Sequence, residues 1–360
     1  MKIAIDIQTT LGQKTGFGFY VKNLTENLKK IDPENEYVLI SPESQKDFST
    51  PQRFIWDQFR YPKIAKRQKV DILHQPCFSA PITYKGKIVV TVHDLISMHF
   101  PKNLPFASRM FYSRWMPFSY RKADKIIAIS EDTKKDIMAR LNISEDKIRV
   151  IHSAVSDNFK PIRDEKILKD VKLKYHTGDK FILDVGTLEP RKNLPFLVKA
   201  FCAAIQDPEI THNLVLSGKK GWYYEDLFLL VKELKLEKRV IFAGYVSEED
   251  LPALYCAADL FVFPSLYEGF GFPPLEAMAS GTPVVSSNTS SLPEVIGEAG
   301  VILAPENENI WAENIIKILK NDNLSRDLIE KGLIQAKKFS WEKTARETIE
   351  VYREVYGDRL

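Results

Sequence analysis

Two adjacent cations lie in a glycine-led turn in the second half of the chain. Arg191 and Lys192 follow a short apolar segment, residues 180–185, within Gly186-Thr-Leu-Glu-Pro-Arg-Lys-Asn193. A guanidinium can bind two phosphate oxygens, the neighbouring ammonium adds a compact charge, and the amino end of the helix predicted to follow attracts anions. The turn therefore predicts phosphate binding, although a solvated surface turn has the same composition.

A second stretch joins two glutamates to closely spaced glycines and prolines, in the order Glu268-Gly-Phe-Gly-Phe-Pro-Pro-Leu-Glu276. Its glycines allow close backbone approach to a ligand, and prolines in a first helical turn leave the amides of Phe270 and Gly271 free to face an anion. Glu276 can accept hydroxyl hydrogen bonds from a ribose diol, and Glu268 can accept them from another sugar. A helix-capping pair of acids would not explain the glycines and prolines.

The elements that position these residues are short apolar segments alternating with amphipathic stretches, which is the pattern of doubly wound parallel sheets. Ligands of such sheets bind beyond the carboxyl ends of the strands. We predict an α/β protein with two Rossmann-like domains, residues 1–162 and 163–338. The predicted strands lie near residues 2–7, 37–41, 71–75, 87–92, 125–129 and 148–152, and near 180–185, 213–217, 239–243, 259–263, 282–286 and 300–303.

The first half offers two candidate features at strand ends. His93 follows the predicted strand 87–92, where a ligand-contacting side chain is expected, although a lone histidine is more often structural. Gly16-Phe-Gly18 follows the first strand and could begin a dinucleotide-binding motif, but Val21 occupies the position of the third glycine.

Composition excludes several classes of protein. A chain of 360 residues, with 44% hydrophobic and 28% charged side chains, fits two globular domains of about 150 residues each rather than a disordered or fibrous chain. Apolar runs reach only strand length and the first residues do not resemble a signal peptide, so we expect a cytoplasmic protein. The three cysteines are far apart, which predicts reduced, buried thiols and neither a disulfide framework nor a zinc site.

Charge is distributed unevenly. Residues 1–160 contain 26 Lys or Arg and 17 Asp or Glu, whereas the remainder contains 25 and 31, which makes nucleic-acid binding by the second half improbable. Residues 104–122 are rich in aromatic and methionine side chains and contain four cations and no acid. This composition suits a helix that lies on an anionic membrane, but aromatic residues at helical spacing also suit a core helix.

Taken together, the two motifs of the second half resemble those of the retaining GT-B glycosyltransferases of family 4. The resemblance extends over nearly the whole chain. The further segments that carry it are Gly16-Phe-Gly18, His93-Asp-Leu95, Ser130-Glu-Asp-Thr133, Gly244-Tyr-Val-Ser247, Ser290-Ser-Leu-Pro-Glu-Val295 and Phe339-Ser-Trp-Glu-Lys343.

The resemblance implies a catalytic role for Arg191, Lys192, Glu268 and His93. The two cations would neutralise the diphosphate of a nucleotide-sugar donor, while Glu268 and His93 would contact the transferred sugar. Preorganised cations and amides can stabilise a diphosphate leaving group without a metal, and no Asp-x-Asp motif is present, so no metal and no cofactor are expected. The donor-binding residues that the resemblance implies are Gly16, Gly18, Gly186, Arg191, Lys192, Tyr245, Val246, Glu268, Phe270, Gly271 and Glu276.

For the whole protein, the resemblance implies two domains that face across a cleft, the first on the acceptor side, with a final helix, residues 339–360, returning to it. The expected reaction transfers a hexose, with mannose from GDP-mannose preferred, to a saccharide or lipid-linked acceptor of a cell-surface polysaccharide or glycolipid. A UDP-sugar donor, a binding protein without turnover and a nicotinamide oxidoreductase are the alternatives. Peripheral contact with the inner face of the plasma membrane would involve residues 104–122.

Overall fold

The computed structural model describes residues 1–11, 16–43, 47–101, 105–222 and 224–357. The chain forms two compact units: unit 1 is Met1–Ala154 with Phe339–Leu360, and unit 2 is Val155–Lys338. The boundary follows Ala154 rather than residue 162, because the intervening segment packs on unit 2. The Phe159 ring lies 5.9 Å from that of Tyr255, and the Ile162 amide donates to Cys256 Sγ at 3.4 Å.

Within the described residues, unit 1 has a six-stranded parallel sheet in the order β2-β1-β3-β4-β5-β6. Its strands are β1 (Lys2–Asp6), β2 (Glu36–Ile40), β3 (Ile72–Gln75), β4 (Lys87–Val92), β5 (Lys125–Ala128) and β6 (Ile148–Val150). Its helices are α1 (Gly16–Ile31), α2 (Thr50–Ile55), α3 (Tyr61–Arg67), α4 (Ile96–His99), α5 (Phe106–Met110), α6 (Met116–Ser119), α7 (Glu131–Leu141) and α16 (Trp341–Tyr356). Two π-helical turns, Trp56–Arg60 and Phe111–Trp115, join α2 to α3 and α5 to α6.

Unit 2 has a second six-stranded parallel sheet among the residues described, in the order β12-β11-β10-β7-β8-β9. Its strands are β7 (Phe181–Val185), β8 (Asn213–Ser217), β9 (Val240–Gly244), β10 (Leu260–Phe263), β11 (Val284–Ser287) and β12 (Val301–Leu303). Its helices are α8 (Glu165–Lys174), α9 (Leu194–Ala204), α10 (Glu225–Glu233), α11 (Leu251–Ala257), α12 (Phe272–Ser280), α13 (Leu292–Ile296), α14 (Glu308–Leu319) and α15 (Asp322–Ala336).

The predicted strands are confirmed, each within two residues of its expected bounds. Strands such as β4 and β10 are apolar along almost their whole length and are buried, because helices cover both faces of each sheet. Several helices begin at side-chain caps that the sequence contains. Ser130 accepts from the Thr133 amide at the start of α7, and Asp164 accepts from the amides of Lys166 and Ile167 at the start of α8.

Residues 104–122 divide between the two roles that the sequence left open, and Leu104 lies outside the described residues. Phe111, Met116 and Tyr120 are buried, with at most 9% of their surface exposed, so they belong to the core of unit 1. Phe106, Met110 and Phe118 are 70%, 41% and 54% exposed. Of the six aromatic side chains in the segment, two are buried and two are exposed, so it is neither wholly a core helix nor wholly a surface one. Its contact with a membrane stays a prediction.

The described cysteines are free thiols, but only Cys77 is buried, whereas Cys202 and Cys256 are partly exposed. The expectation that all three are buried is wrong for these two. No helix in the described part of the chain is both long enough and apolar enough to cross a membrane.

The final helix, α16, packs on unit 1 through polar contacts as well as apolar ones. Thr344 Oγ1 donates to the carbonyl of His152 at 2.7 Å, and Lys87 Nζ donates to the carbonyl of Val355 at 2.5 Å. The Tyr352 hydroxyl lies 2.6 Å from Nδ1 of His74, whose Nε2 lies 2.9 Å from Thr91 Oγ1. Both His74 and Tyr352 are fully buried, so this chain of hydrogen bonds fixes the helix on the sheet.

We predict that Tyr352→Phe lowers the free energy of unfolding by about 1–2 kcal/mol, because it leaves the buried Nδ1 of His74 without its hydroxyl partner. Urea unfolding followed by circular dichroism measures the change. Tyr356→Phe, at a residue that is 44% exposed on the same helix, is the control and is expected to change stability by less than about 0.5 kcal/mol. Equal effects of the two variants would contradict the prediction.

Candidate functional site

The order of strands in unit 2 creates a switch point between β7 and β10. From β7 the chain moves to β8 and β9 on one side, whereas β10, β11 and β12 lie on the other. Crevices at such reversals, beyond the carboxyl ends of the strands, are where open α/β sheets bind ligands. The turn 186–193 follows β7 and the stretch 264–271 follows β10, so the two motifs meet at this edge.

Glu268 is the side chain that joins the two motifs. Its Oε1 lies 2.6 Å from Arg191 Nη1 and 2.6 Å from Lys192 Nζ, and it accepts a hydrogen bond of 2.6 Å from Ser265 Oγ. Arg191 also contacts Glu189 Oε1 at 2.6 Å. Although burial opposes ionisation, the two cations lower the pKa of Glu268 to about 2, so it is a carboxylate at neutral pH.

Lys192 is the more enclosed of the two cations. Its residue surface is 6% exposed, and its Nζ lies 4.5 Å from the centre of the Phe263 ring. Its side chain runs over Gly186, where a Cβ would approach Cε to 2.9 Å, so the glycine of the turn makes room for the lysine. Burial lowers the pKa of Lys192, and Glu268 opposes this change by stabilising the ammonium.

The second motif turns sharply into α12 at Gly271, whose φ is +124°. A side chain there would be strained, and its Cβ would lie 3.1 Å from Leu292 Cδ2. The preceding turn is held by Ser291, whose hydroxyl donates to the carbonyls of Glu268 at 2.9 Å and Phe270 at 2.5 Å. The amino end of α12 is thus fixed at the switch point.

Glu276 lies one turn inside α12 and is partly exposed. It accepts a hydrogen bond of 2.8 Å from the hydroxyl of Tyr255 on α11. Burial raises the pKa of Glu276 to about 7, although the Tyr255 hydrogen bond acts in the opposite direction. A carboxyl group that titrates near neutral pH can accept hydrogen bonds from hydroxyl groups when it is ionised.

The structure adds site residues that the sequence reasoning missed. Ser265 follows β10 and binds Glu268, a position that the rule for strand ends could have found. Tyr255 lies on α11, the helix before β10, and its sequence context gave no indication of a role. Asp184 is the one charged residue of the apolar strand β7, a feature of the sequence that could have indicated a role at the site. It is fully buried, and within the described part of the chain neither of its carboxyl oxygens has a hydrogen-bond partner.

The remaining predicted residues divide between the units. Tyr245 and Val246 follow β9 in unit 2, where Tyr245 is 53% exposed and lies under Lys219 Nζ at 4.7 Å, whereas Val246 is buried. Gly16, Gly18 and His93 belong to unit 1. A Cβ on Gly18 would lie 2.4 Å from the carbonyl oxygen of Thr9, so only glycine fits where α1 meets the loop after β1.

His93 is buried at the carboxyl end of β4. Its Nε2 lies 2.9 Å from the carbonyl oxygen of Pro76, so this nitrogen carries the proton, and its ring contacts those of Phe17 and Tyr20 at 4.8 and 4.6 Å. Burial lowers the pKa of His93 to about 4, although the Pro76 carbonyl opposes the shift. His93 is therefore a neutral imidazole at physiological pH, suited to hydrogen bonding rather than to charge stabilisation.

Comparison with known proteins assigns the family. The description "Glycosyl transferases group 1" matches residues 165–335, and "Glycosyltransferase Family 4" matches residues 18–159. The O-antigen chain mannosyltransferase B of Escherichia coli is 35% identical over 78% of this chain and 74% of its own length. The chain belongs to glycosyltransferase family 4. It is thus an enzyme that transfers a sugar, as the motifs predict.

A second relative and a solved structure show how much of the chain is similar to known proteins. The serotype-specific mannosyltransferase WbdA of Escherichia coli is 35% identical over 73% of this glycosyltransferase, which spans only 33% of WbdA. A glycosyltransferase structure from Rickettsia africae superposes with a TM-score of 0.76 and 21% identity, covering 99% of both chains. The predicted fold class, two Rossmann-like α/β domains of the GT-B type, is confirmed.

The buried carboxyl group of Asp184 makes the stability of the protein depend on pH. Burial raises its pKa to about 7, although Lys192 opposes the shift, so in the folded state it binds a proton more tightly than in the unfolded chain. Its contribution to stability is complete below its unfolded pKa, near 3.8, and is lost as the pH rises through about 7.

In the wild type, ionisation of Asp184 is expected to lower the free energy of unfolding by on the order of 2 kcal/mol between pH 5 and pH 8. We therefore predict that Asp184→Asn lacks this loss of stability. Urea unfolding at both pH values measures the difference. Asp170→Asn, at an exposed carboxylate of α8 in the same unit, is the control and is expected to leave the pH dependence unchanged. A wild-type pH dependence in Asp184→Asn would overturn the assignment of this carboxyl group.

Proposed function

We propose that this glycosyltransferase transfers mannose from GDP-mannose to a saccharide or lipid-linked saccharide during synthesis of a cell-surface polysaccharide. We infer the donor site from the convergence of Arg191, Lys192 and Glu268 at the β7/β10 switch point. Mannose is favoured because O-antigen mannosyltransferases are among the relatives. The expected stereochemical course is retention of the anomeric configuration.

In this proposal the diphosphate binds Arg191 and Lys192. The guanidinium of Arg191 supplies positive charge to the phosphate oxygens, and Lys192, packed against Phe263, adds charge in a region of low dielectric. Glu268 holds both cations at fixed distances before the donor arrives, so little reorganisation is needed as negative charge grows on the leaving diphosphate. Glu268 also offers its second carboxylate oxygen to a hydroxyl of the transferred sugar.

The same proposal assigns Glu276 to the ribose and Tyr245 with Val246 to the base. Tyr255 orients the Glu276 carboxylate through its 2.8 Å hydrogen bond, which leaves the other oxygen for a diol. The reaction is proposed to need no metal, because the two cations and the amino end of α12 can stabilise the diphosphate. His93, as a neutral imidazole, is proposed to accept a hydrogen bond from a sugar hydroxyl.

We further propose that the enzyme works at a membrane surface through an apolar face on unit 1. This face comprises Phe106, Met110 and Phe118, and the structure adds Ile55 and Phe59, which are 46% and 56% exposed. Phe54 and Trp115 connect the two groups. The ring of Phe54 lies 6.2 Å from that of Phe59 and 5.4 Å from that of Trp115, which lies 6.1 Å from that of Phe118.

The charges around the apolar face fit an anionic bilayer. Arg60, Arg114 and Arg121 are exposed, and the guanidinium of Arg121 lies 5.8 Å from the ring of Phe118. Asp57, the only acid in residues 50–67 and 105–122, is fully buried. Exposed rings beside exposed guanidinium groups suit the headgroup region, where the rings enter the acyl boundary and the cations bind phosphates.

The donor proposal predicts that GDP and GDP-mannose raise the melting temperature of the protein more than UDP, dTDP or ADP and their sugars. Lys192→Gln is expected to weaken binding of GDP at least about tenfold, because it removes a desolvated charge on the diphosphate. Lys199→Gln, at an exposed lysine of α9, is the matched control. Transfer from GDP-mannose should persist in EDTA.

If UDP-sugars raise the melting temperature selectively, the proposed donor site stands, but the donor is a UDP-sugar rather than GDP-mannose. Loss of transfer in EDTA, with recovery on adding Mg²⁺ or Mn²⁺, would contradict the metal-free mechanism. If Lys192→Gln and Lys199→Gln weaken GDP binding equally, the diphosphate does not bind at the β7/β10 switch point.

The membrane proposal predicts that Phe106→Ser/Phe118→Ser reduces co-sedimentation with vesicles of phosphatidylglycerol and phosphatidylethanolamine by at least about fivefold, because the apolar contact is lost. Leu229→Ser/Ile334→Ser is the control, since these residues of unit 2 are 65% and 63% exposed. Binding that survives in the Phe106→Ser/Phe118→Ser protein, or that falls equally in the control, would exclude this face.

A further inference from the structure

Unit 1 has a switch point of its own, to which the proposed function assigns no part of the nucleotide. In the sheet order β2-β1-β3-β4-β5-β6, the chain passes from β1 to β2 on one side, whereas β3 lies on the other. The crevice beyond the carboxyl ends of β1 and β3 is therefore a second place where an open α/β sheet binds a ligand. Asp6 and Gln8 mark the end of β1, and residues 76–80 form the loop after β3.

A buried network of charged and amide side chains holds this loop. Arg53 is 2% exposed and bonds to Asp6, to Asp57 and, at 2.8 Å, to Gln8 Oε1. Asp57 in turn accepts from the Ser79 amide at 3.1 Å and from the Ser79 hydroxyl at 2.7 Å.

Two glutamines complete the support. Gln75 Nε2 donates to the carbonyl of Cys77 at 2.6 Å, and Gln58 Nε2 donates to that of Ala80 at 2.9 Å. Buried charged and amide groups cost free energy unless they are paired. The hydrogen bonds that pair them therefore hold the loop in one conformation.

The residue at the centre of the held loop is strained. Phe78 has a φ of +66°, a left-handed conformation that is unfavourable for an aromatic residue. Its neighbours Cys77 and Ser79 are the residues that Gln75 and Asp57 bind, so the network maintains the strain. Strained backbone of this kind is concentrated at ligand-binding positions.

The strain places an aromatic ring at the switch point. The Arg53 guanidinium lies 4.5 Å from the centre of the Phe78 ring and covers one face of it. Phe17 and Tyr112 lie beside it, with ring centres 5.5 and 6.2 Å away. All three rings are partly exposed, whereas the charged groups that hold them are buried.

We propose that the rings of Phe17, Phe78 and Tyr112, which we call the aromatic platform, bind a hexose ring of the acceptor saccharide. The C–H groups of a sugar ring carry partial positive charge and pack against the electron-rich faces and edges of aromatic rings, and ligand pockets combine such rings with a few polar groups. The hydroxyls of Thr50 and Ser108, 3.1 Å apart and partly exposed, supply polar groups near Tyr112.

The chemistry of the platform favours the acceptor over the nucleotide part of the donor. Arg53 is enclosed and already paired with two carboxylates, so it offers no charge to a diphosphate. The proposed donor site, at the switch point of unit 2, instead has two adjacent cations, Arg191 and Lys192, which share the carboxylate of Glu268. This inference rests on the proposed function to the extent that it assigns the nucleotide to unit 2.

The test measures saccharide binding by the full-length protein in the presence of GDP, using saturation-transfer NMR with the α-methyl glycosides of mannose, glucose, galactose and N-acetylglucosamine. Phe78→Leu, which keeps apolar bulk but removes the ring, is expected to weaken binding about five- to tenfold. Phe78→Tyr restores the ring and is expected to bind within about twofold of wild type. Phe48→Leu, at a partly buried aromatic residue packed on Trp56 at 5.9 Å, is the matched control.

Four results would contradict binding by the aromatic platform. They are wild-type binding by Phe78→Leu, weak binding by Phe78→Tyr, an equal loss in Phe48→Leu, and no binding of any glycoside by the wild type. The melting temperature with GDP and with GDP-mannose is measured on the same proteins. If Phe78→Leu removes the additional stabilisation by GDP-mannose over GDP, the ring binds the transferred sugar and the acceptor assignment is wrong. Absence of any GDP response in the wild type refutes the donor proposal, while glycoside binding still reports on the platform.

Discussion

The parallel pairing of β10 with β7 is the constraint on which the candidate donor site depends. These strands are separated by almost eighty residues, yet Phe261 lies opposite Leu183 in the sheet. Parallel strands end at the same edge, so their following turns must meet there. Because the strand order reverses at this pair, the chain continues from β7 towards one side of the sheet and from β10 towards the other, which leaves a crevice at this edge. Glu268 can therefore reach Arg191 and Lys192, although nothing in the local sequence of either turn brings them together.

Burial then gives each charge at this edge a different character. Glu268 remains ionised because two cations face it, whereas burial raises the pKa values of Glu276 and Asp184 to about 7. A buried ion pair adds little net stability, since desolvation offsets most of the attraction, but it fixes geometry. The arrangement is thus better explained by preorganisation of two cations than by its contribution to folding. Such preorganisation is what stabilisation of a leaving diphosphate requires.

Unit 1 also has a six-stranded parallel sheet with a switch point, but its strand order and its distribution of charge are different. At the β1/β3 switch point the ionic groups, Arg53, Asp6 and Asp57, are buried and satisfy one another, and they support a strained loop that carries an aromatic ring. At the β7/β10 switch point the cations themselves line the edge. The two edges therefore suit different ligand chemistries, a saccharide ring in one unit and a diphosphate in the other. This division is consistent with a transferase that must bind two substrates.

The sequence by itself determined the strands, the fold class and the two motifs of unit 2. Those features depend on local patterns: apolar segments of strand length, glycines beside prolines, and adjacent cations after a strand. The tertiary structure alone decided that Glu268 binds both cations, that Tyr255 binds Glu276, and that Phe78 is held in a left-handed conformation. These facts arise from contacts between segments far apart in the chain. For the same reason residues 104–122 could not be assigned from their composition, since burial of Phe111 and exposure of Phe118 depend on the neighbouring helices.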